Sequence, residues 1–236
     1  MAQLSGQPRA RFVEAMFAQI AGRYDLMNRL MTLGRDQGWR RFAARQVALP
    51  PGGRALDVGT GTGDLALALG REERTSLVVG LDFCQPMLAQ GQAKVSLLEK
   101  NRVVFVLGDA LRLPFGDDQF DGVTNAFTLR NVTSIPQAML EMRRVAKPGG
   151  KVVCLEVCRP RRGVLRLCHH LYFYRLVPLL GRIVAGNPGA YSYLPNSATN
   201  FPTPVTLKTL MEEAGLRAVT YRLLSLGAVA VHTGTK

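Results

Sequence analysis

The chain has 236 residues, room for one large domain or one elaborated domain but not for two independent ones. Its 47% hydrophobic and 20% charged residues allow a sizeable core and exclude a disordered chain. Thirty Lys and Arg against 17 Asp and Glu leave a net charge of +13, which predicts an anionic partner or surface: phosphate, nucleic acid or acidic lipid.

The four cysteines (Cys84, Cys154, Cys158, Cys168) make no CxxC pair, so neither a zinc module nor a disulfide scaffold is expected. The opening MAQLSGQPRARF has no apolar run to serve as a signal peptide, and no apolar stretch reaches the roughly 18 residues of a membrane span. The expectation is a soluble, intracellular protein.

Residues 8–48 read as basic helices, with Phe12, Met16, Ile20 and Leu26, Leu30, Leu33 recurring every three to four residues among arginines. Pro50-Pro51-Gly52-Gly53 closes this part. Strands then alternate with helices: Ala55–Val58, a helix over Leu65–Leu69, Leu77–Leu81, a helix from Pro86 to Ala93, Val103–Leu107, Phe120–Phe127, a helix over Ile135–Val145, and Val152–Val157. This alternation predicts an α/β fold, a doubly wound, mostly parallel sheet covered on both faces, over residues 54–157. Residues 157–211 break the pattern, with seven Lys and Arg and no acid, giving this stretch alone +7. A helix over Thr206–Ala214 and strands near Val219–Leu224 and Ala228–His232 follow, the two strands expected as an antiparallel addition at the sheet edge.

The first strand leads into Gly59-x-Gly61-x-Gly63-Asp64. A loop here, beyond the carboxyl end of a parallel strand, is where open α/β sheets bind ligands. A dinucleotide site would read GxGxxG, with the third glycine where Asp64 stands, and an acid there repels a pyrophosphate. A ligand carrying positive charge suits the acid better. Asp82, ending the second strand, is placed to accept from both ribose hydroxyls, and Asp109, after the third, from an adenine amino group beside Ala110. The pattern Asp57-x-Gly59-x-Gly61-x-Gly63 resembles motif I of the class I S-adenosylmethionine-dependent methyltransferases.

Further segments make the resemblance narrower: Tyr24-Asp25-Leu26-Met27-Asn28, Leu129-Arg130-Asn131-Val132, Lys147-Pro148-Gly149-Gly150, Ala190-Tyr191-Ser192-Tyr193-Leu194-Pro195 and Val231-His232-x-Gly234-x-Lys236, in that order. Together they resemble the ubiquinone/menaquinone biosynthesis C-methyltransferases, from about Phe17 to Lys236. The resemblance implies methyl transfer from S-adenosyl-L-methionine to a ring carbon of a reduced polyprenyl quinone precursor. It implies a cofactor site of Gly59, Gly61, Thr62, Asp82, Asp109 and Ala110, with Tyr24 covering cofactor or substrate and Arg130 and Asn131 facing the substrate. The chain departs from the family pattern at Ala126 and Thr128, where a serine and a glycine are common, and at Asn187 and Asn196, where acids are common.

A ring carbon becomes nucleophilic when the adjacent hydroxyl, which titrates near pH 10, loses its proton. Arg130 is expected to favour that anion as a fixed cation rather than as a base, because guanidinium stays charged. The proton would leave through water, Tyr24 or His170. His169 and His170 adjoin without nearby acids, so no metal is expected.

Residues 158–204 are expected to form a basic, helical lid that meets an anionic membrane surface and admits the polyprenyl quinol, placing the protein peripherally at the inner face of the membrane. Nucleic acid is not expected as a partner, since the Asn/Asp-Pro-Pro-aromatic box of such methyltransferases is replaced by Asn125-Ala126-Phe127-Thr128. Methylation of another small molecule or of RNA, a non-catalytic scaffold and a homodimer stay open as alternatives.

Overall fold

The computed structural model describes residues 6–96, 102–158, 197 and 200–236. The basic segment expected as a lid, with His169, His170, Asn187 and Asn196, lies outside these residues almost entirely. Two helices, α1 (Gly6–Thr32) and α2 (Arg35–Val47), precede a sheet built from β1 (Gly53–Val58), β2 (Thr75–Asp82), β3 (Val103–Leu107), β4 (Phe120–Ala126) and β5 (Ala146–Val157). Helices α3 (Asp64–Gly70), α4 (Gln85–Lys94) and α5 (Ile135–Val145) connect them, and α6 (Pro204–Glu213), β6 (Arg217–Leu224) and β7 (Val229–Thr235) complete the fold.

The sheet order is β3-β2-β1-β4-β5-β7-β6. Strands β1 to β5 pair in parallel, and β7 lies antiparallel between β5 and β6. The antiparallel addition expected at the sheet edge is present: β7 is the reversed strand, and β6, paired antiparallel to it, points the same way as β5. A short chain between β6 and β7 makes them a hairpin, and the hairpin inserts its second strand first.

Side chains alternate between two cores, as a sheet covered on both faces requires. Leu56, Val79, Val152 and Cys154 join α5 and α6 on one face. Ala55, Val78, Val153 and Leu155 meet α2 and α3 on the other. Ser134 caps α5 by accepting from the Gln137 amide at 3.3 Å, with Pro136 in the first turn where its missing N–H costs nothing. Among the described residues no helix is long and apolar enough to cross a membrane.

Strand order reverses between β2-β1 and β4-β5, so the crevice of the fold opens at the carboxyl ends of β1 and β4. The loop after β1 sits there, and α1 lies across it.

Candidate active site

Two adjoining cavities occupy the crevice. The larger, of about 340 Å³, is lined by Leu81, Asp82, Phe83, Gly108, Asp109, Ala110 and Leu111 below and by Gly6, Ala10 and Val13 of α1 above. The smaller is lined by Tyr24, Arg40, Asp57, Thr60, Thr62, Asp64 and Phe127, among others. Gly59, Asp82, Phe83, Thr128 and Asn131 line both, so the two form one elongated site.

The glycine loop turns on left-handed residues: Gly59, Gly61 and Gly63 have φ of 66°, 58° and 79°. At Gly59 a Cβ would also stand 2.1 Å from Cγ2 of Thr128, so the loop and the end of β4 touch backbone to side chain. The Thr128 hydroxyl donates to the Gly59 carbonyl at 2.8 Å. Asp82 holds the loop from β2: its carboxylate accepts from the Gly61 amide at 2.8 Å and the Cys84 amide at 2.9 Å. Burial raises its pKa above the usual carboxylate range. Asp109 accepts from the Leu111 amide at 2.9 Å, which tightens the turn after β3 beside Ala110.

Asp57 is a second perturbed acid of the site. Burial pushes its carboxyl up to about 6, against hydroxyl hydrogen bonds from Thr60 (2.6 Å) and Thr124 (2.8 Å) that favour the anion. A carboxyl whose folded pKa exceeds its unfolded one stabilises the fold at low pH, and that stabilisation is lost as pH rises from about 4 through about 6. On this basis wild type should lose about 2 kcal/mol relative to Asp57→Asn between pH 4 and pH 8, read by urea unfolding. A pH-independent gap between the two proteins would refute the perturbed carboxyl.

A four-way polar junction ties α1 to the loop. Lys94 reaches Asp25 at 2.8 Å and Asp64 at 2.5 Å, Thr62 donates to Asp25 at 2.5 Å, and Gln37 donates to Asp64 at 2.9 Å. Asp64 is held below its usual range despite burial, through Arg40, Lys94 and Gln37. The acid expected to greet a cationic ligand is thus already neutralised within the protein, and Thr62, expected on the cofactor, spends its hydroxyl on α1. Lys94 and Asp25 were not singled out from sequence. Asp25 lies inside the quoted Tyr24–Asn28 segment, whereas Lys94 has no signal beyond ending α4.

Tyr24 lines the smaller cavity and packs edge-on against Phe17, with ring centroids 5.9 Å apart. Asn131 donates to the Phe127 carbonyl at 3.2 Å, and its Oδ1 is buried with no partner while the residue lines both cavities. Arg130 requires a correction. It lines neither cavity; its Nη1 meets Glu156 at 3.0 Å in a pair whose side chains are 7% and 1% exposed. The cation expected beside a substrate oxygen is thus paired with a buried carboxylate and lies outside both cavities, with its Nε buried and without a hydrogen-bond partner. Glu156 was missed because an acid near the end of β5 has no motif of its own; its only signal is its place in an apolar run. Cys84, Cys154 and Cys158 are buried thiols, and burial raises the pKa of each.

Strand order, loop position and carboxylates at successive strand ends define the class I methyltransferase fold. A SAM-dependent methyltransferase from Thermotoga maritima superposes with a TM-score of 0.64, covering 95% of this chain and 99% of that one at 20% identity. The chain belongs to the ubiE/COQ5 methyltransferase family, which it matches over residues 4–236. The demethylmenaquinone methyltransferase of Roseiflexus castenholzii is 53% identical over 228 residues, 97% of this chain and 94% of that protein. The ubiquinone/menaquinone biosynthesis C-methyltransferase of Geobacter sulfurreducens is 41% identical over 226 residues, 95% and 88% of the two chains.

Proposed function

We propose that the protein methylates a ring carbon of a reduced polyprenyl quinone precursor, taking the methyl group from S-adenosyl-L-methionine. The substrate class follows the activities named for its relatives. The donor reading rests on one observation: a continuous site runs from Asp109 and Ala110, past Asp82 and the glycine loop, to a polar end at Asp57 and Arg40.

The residues present fit such a donor. Asp82 is oriented by the Gly61 and Cys84 amides, with the Phe83 amide also favouring its anion, and a carboxylate with about four lone-pair sites keeps capacity for ribose hydroxyls. Asp109 and the apolar walls of Leu81, Phe83 and Leu111 suit a base. When bound, the donor supplies an electrophilic methyl group on a sulfonium. Phe17, Tyr24, Phe83 and Met87 form an apolar part of the smaller cavity's lining, which would limit water around a bound donor and favour an in-line approach of reacting carbon and methyl. Asn131, with its unpartnered Oδ1, and Tyr24 are the residues that would touch the acceptor. Arg130 acts instead as a positioning residue: with its side chain on Glu156 and its carbonyl accepting from Arg9 at 3.0 Å, it holds the turn that presents Asn131.

Methyl-labelled S-adenosylmethionine incubated with demethylated naphthoquinol and benzoquinol should place label on a quinol ring carbon; label on neither would reject the reading. Asp82→Asn should weaken S-adenosylhomocysteine binding about 10- to 100-fold, because its amide NH₂ must face either the Gly61 or the Cys84 N–H.

A quinol with a polyprenyl tail resides in the bilayer, and the acid-free +7 stretch supports a peripheral contact with anionic lipid. The protein should float with anionic liposomes, and charge reversal at Arg161, Arg162 and Arg166 should abolish flotation; unchanged flotation would refute this contact.

A further inference from the structure

The site has a charge asymmetry that the quinone chemistry does not use. Among the described residues that line either cavity, Arg40 is the one cation, against Asp57, Asp64, Asp82 and Asp109. It stands on α2, buried to 5% exposure, with Nη1 on Asp36 at 2.7 Å and the guanidinium 5.3 Å from the centroid of the Phe127 ring. Asp36 is itself 1% exposed and fixed by the Thr32 hydroxyl at 2.9 Å. Arg130 is likewise held by one carboxylate through one nitrogen but lines neither cavity, whereas Arg40 lines the smaller one. The charge of Arg40 also favours the anions of Asp57 and Asp64, and the remaining N–H groups of its fork can serve a further acceptor. Lys94, which reaches Asp64 of the site wall, is already shared between Asp25 and Asp64.

We infer that Arg40 binds the carboxylate of the methyl donor's amino-acid portion and so sets the depth at which the donor lies in the site. The inference rests on the donor reading above and extends it. The donor carries a single anionic group, at the end opposite its base. The site likewise carries its lining cation at the end opposite Asp109 and Ala110, with Asp82 and the glycine loop between. Order along the ligand and order along the site match in that direction alone. A charge-assisted, two-point contact between guanidinium and carboxylate also fixes orientation, not just affinity. Phe127, whose ring Arg40 overlies, holds a left-handed φ of 61°, an uncommon conformation for an aromatic residue, and its ring centroid is 5.3 Å from the guanidinium carbons of both Arg40 and Arg130.

Calorimetry with two ligands tests this: S-adenosylhomocysteine, and 5′-methylthioadenosine, which shares the nucleoside and thioether but has no amino-acid head. Arg40→Gln should weaken S-adenosylhomocysteine about 10- to 100-fold and change 5′-methylthioadenosine less than about twofold. Arg40→Lys should recover part of the loss. Equal weakening of both ligands, or of neither, would overturn the assignment and leave Arg40 a packing residue. Because removing Arg40 strips Asp36 of its partner and can unfold the protein, the same question is put to wild type with the carboxamide of S-adenosylhomocysteine. The amide should bind about 10- to 100-fold more weakly than the acid, and equal affinity would overturn the assignment. Wild type that binds neither S-adenosylhomocysteine nor 5′-methylthioadenosine would overturn the donor reading itself, and the assignment with it.

Discussion

Replacing Arg130 by methionine should cost about 3–5 kcal/mol of stability, and replacing Glu156 by glutamine should cost still more at pH 7. The difference lies in which group is left behind. Without Arg130, Glu156 loses its cation but can take up a proton, and burial already raises its pKa. Without Glu156, a buried guanidinium is stranded and cannot shed its charge. The Arg130→Met deficit should therefore shrink as the pH falls from 7 to 5, while that of Glu156→Gln should not. For a chain of this size the melting temperature should drop by about 10 °C or more. The double variant Arg130→Met/Glu156→Leu should regain most of the loss, since no buried charge remains unpaired. It should also keep S-adenosylhomocysteine affinity within about twofold of wild type, as neither side chain lines the site. A double variant as unstable as either single one would show that the pair is not what holds this end of β5 to the turn after β4.

Gly59→Ala should be the most damaging methyl group that can be added to the loop. The new Cβ would lie 2.1 Å from Cγ2 and 2.5 Å from Oγ1 of Thr128, and φ of +66° strains any side chain there. Either the loop or the end of β4 must move, and Thr128 also lines both cavities. The expected outcome is a loss of about 3 kcal/mol or more in urea unfolding together with at least about 100-fold weaker S-adenosylhomocysteine binding. The double variant Gly59→Ala/Thr128→Gly removes the collision and should retain a deficit of about 1–2 kcal/mol, the cost of a left-handed alanine. Gly61→Ala makes a useful contrast, because its nearest neighbour is the flexible end of Met87 at 3.3 Å, so strain in φ should dominate. Failure of Thr128→Gly to rescue would mean that the damage arises elsewhere in the loop.

Some residues of the site could be placed from the chain alone, and others could not. Asp82 and Asp109 could be placed in advance because both follow from local rules: a strand ends, a loop begins, and parallel neighbours bring successive strand ends together. Arg40 could not be placed in that way. It is one of several arginines in a basic helical stretch, and Arg41 and Arg45, close by, are exposed. Its one signal is a pattern: Asp36, Arg40, Ala43, Ala44 and Val47 share a buried face of α2, so an oppositely charged pair lies on an otherwise apolar stripe.

Arg130 shows the opposite error. Its motif is conspicuous, and the motif by itself suggests a free charge. Whether that charge is free depends on Glu156, 26 residues later and on the neighbouring strand, a contact that exists only once β4 and β5 pair.

From the amino-acid order alone came the alternating strands and helices, the glycine loop and the acids at the strand ends, because hydrophobic period, turn chemistry and local spacing govern them. The tertiary structure decided which charges are spent within the protein and which remain for a ligand. That depends on partners distant in sequence: Lys94 between Asp25 and Asp64, Glu156 on Arg130, and Asp36 holding Arg40 at the wall of the site. A buried charge takes its character from what lies within a few ångströms of it, and only the folded chain determines those neighbours.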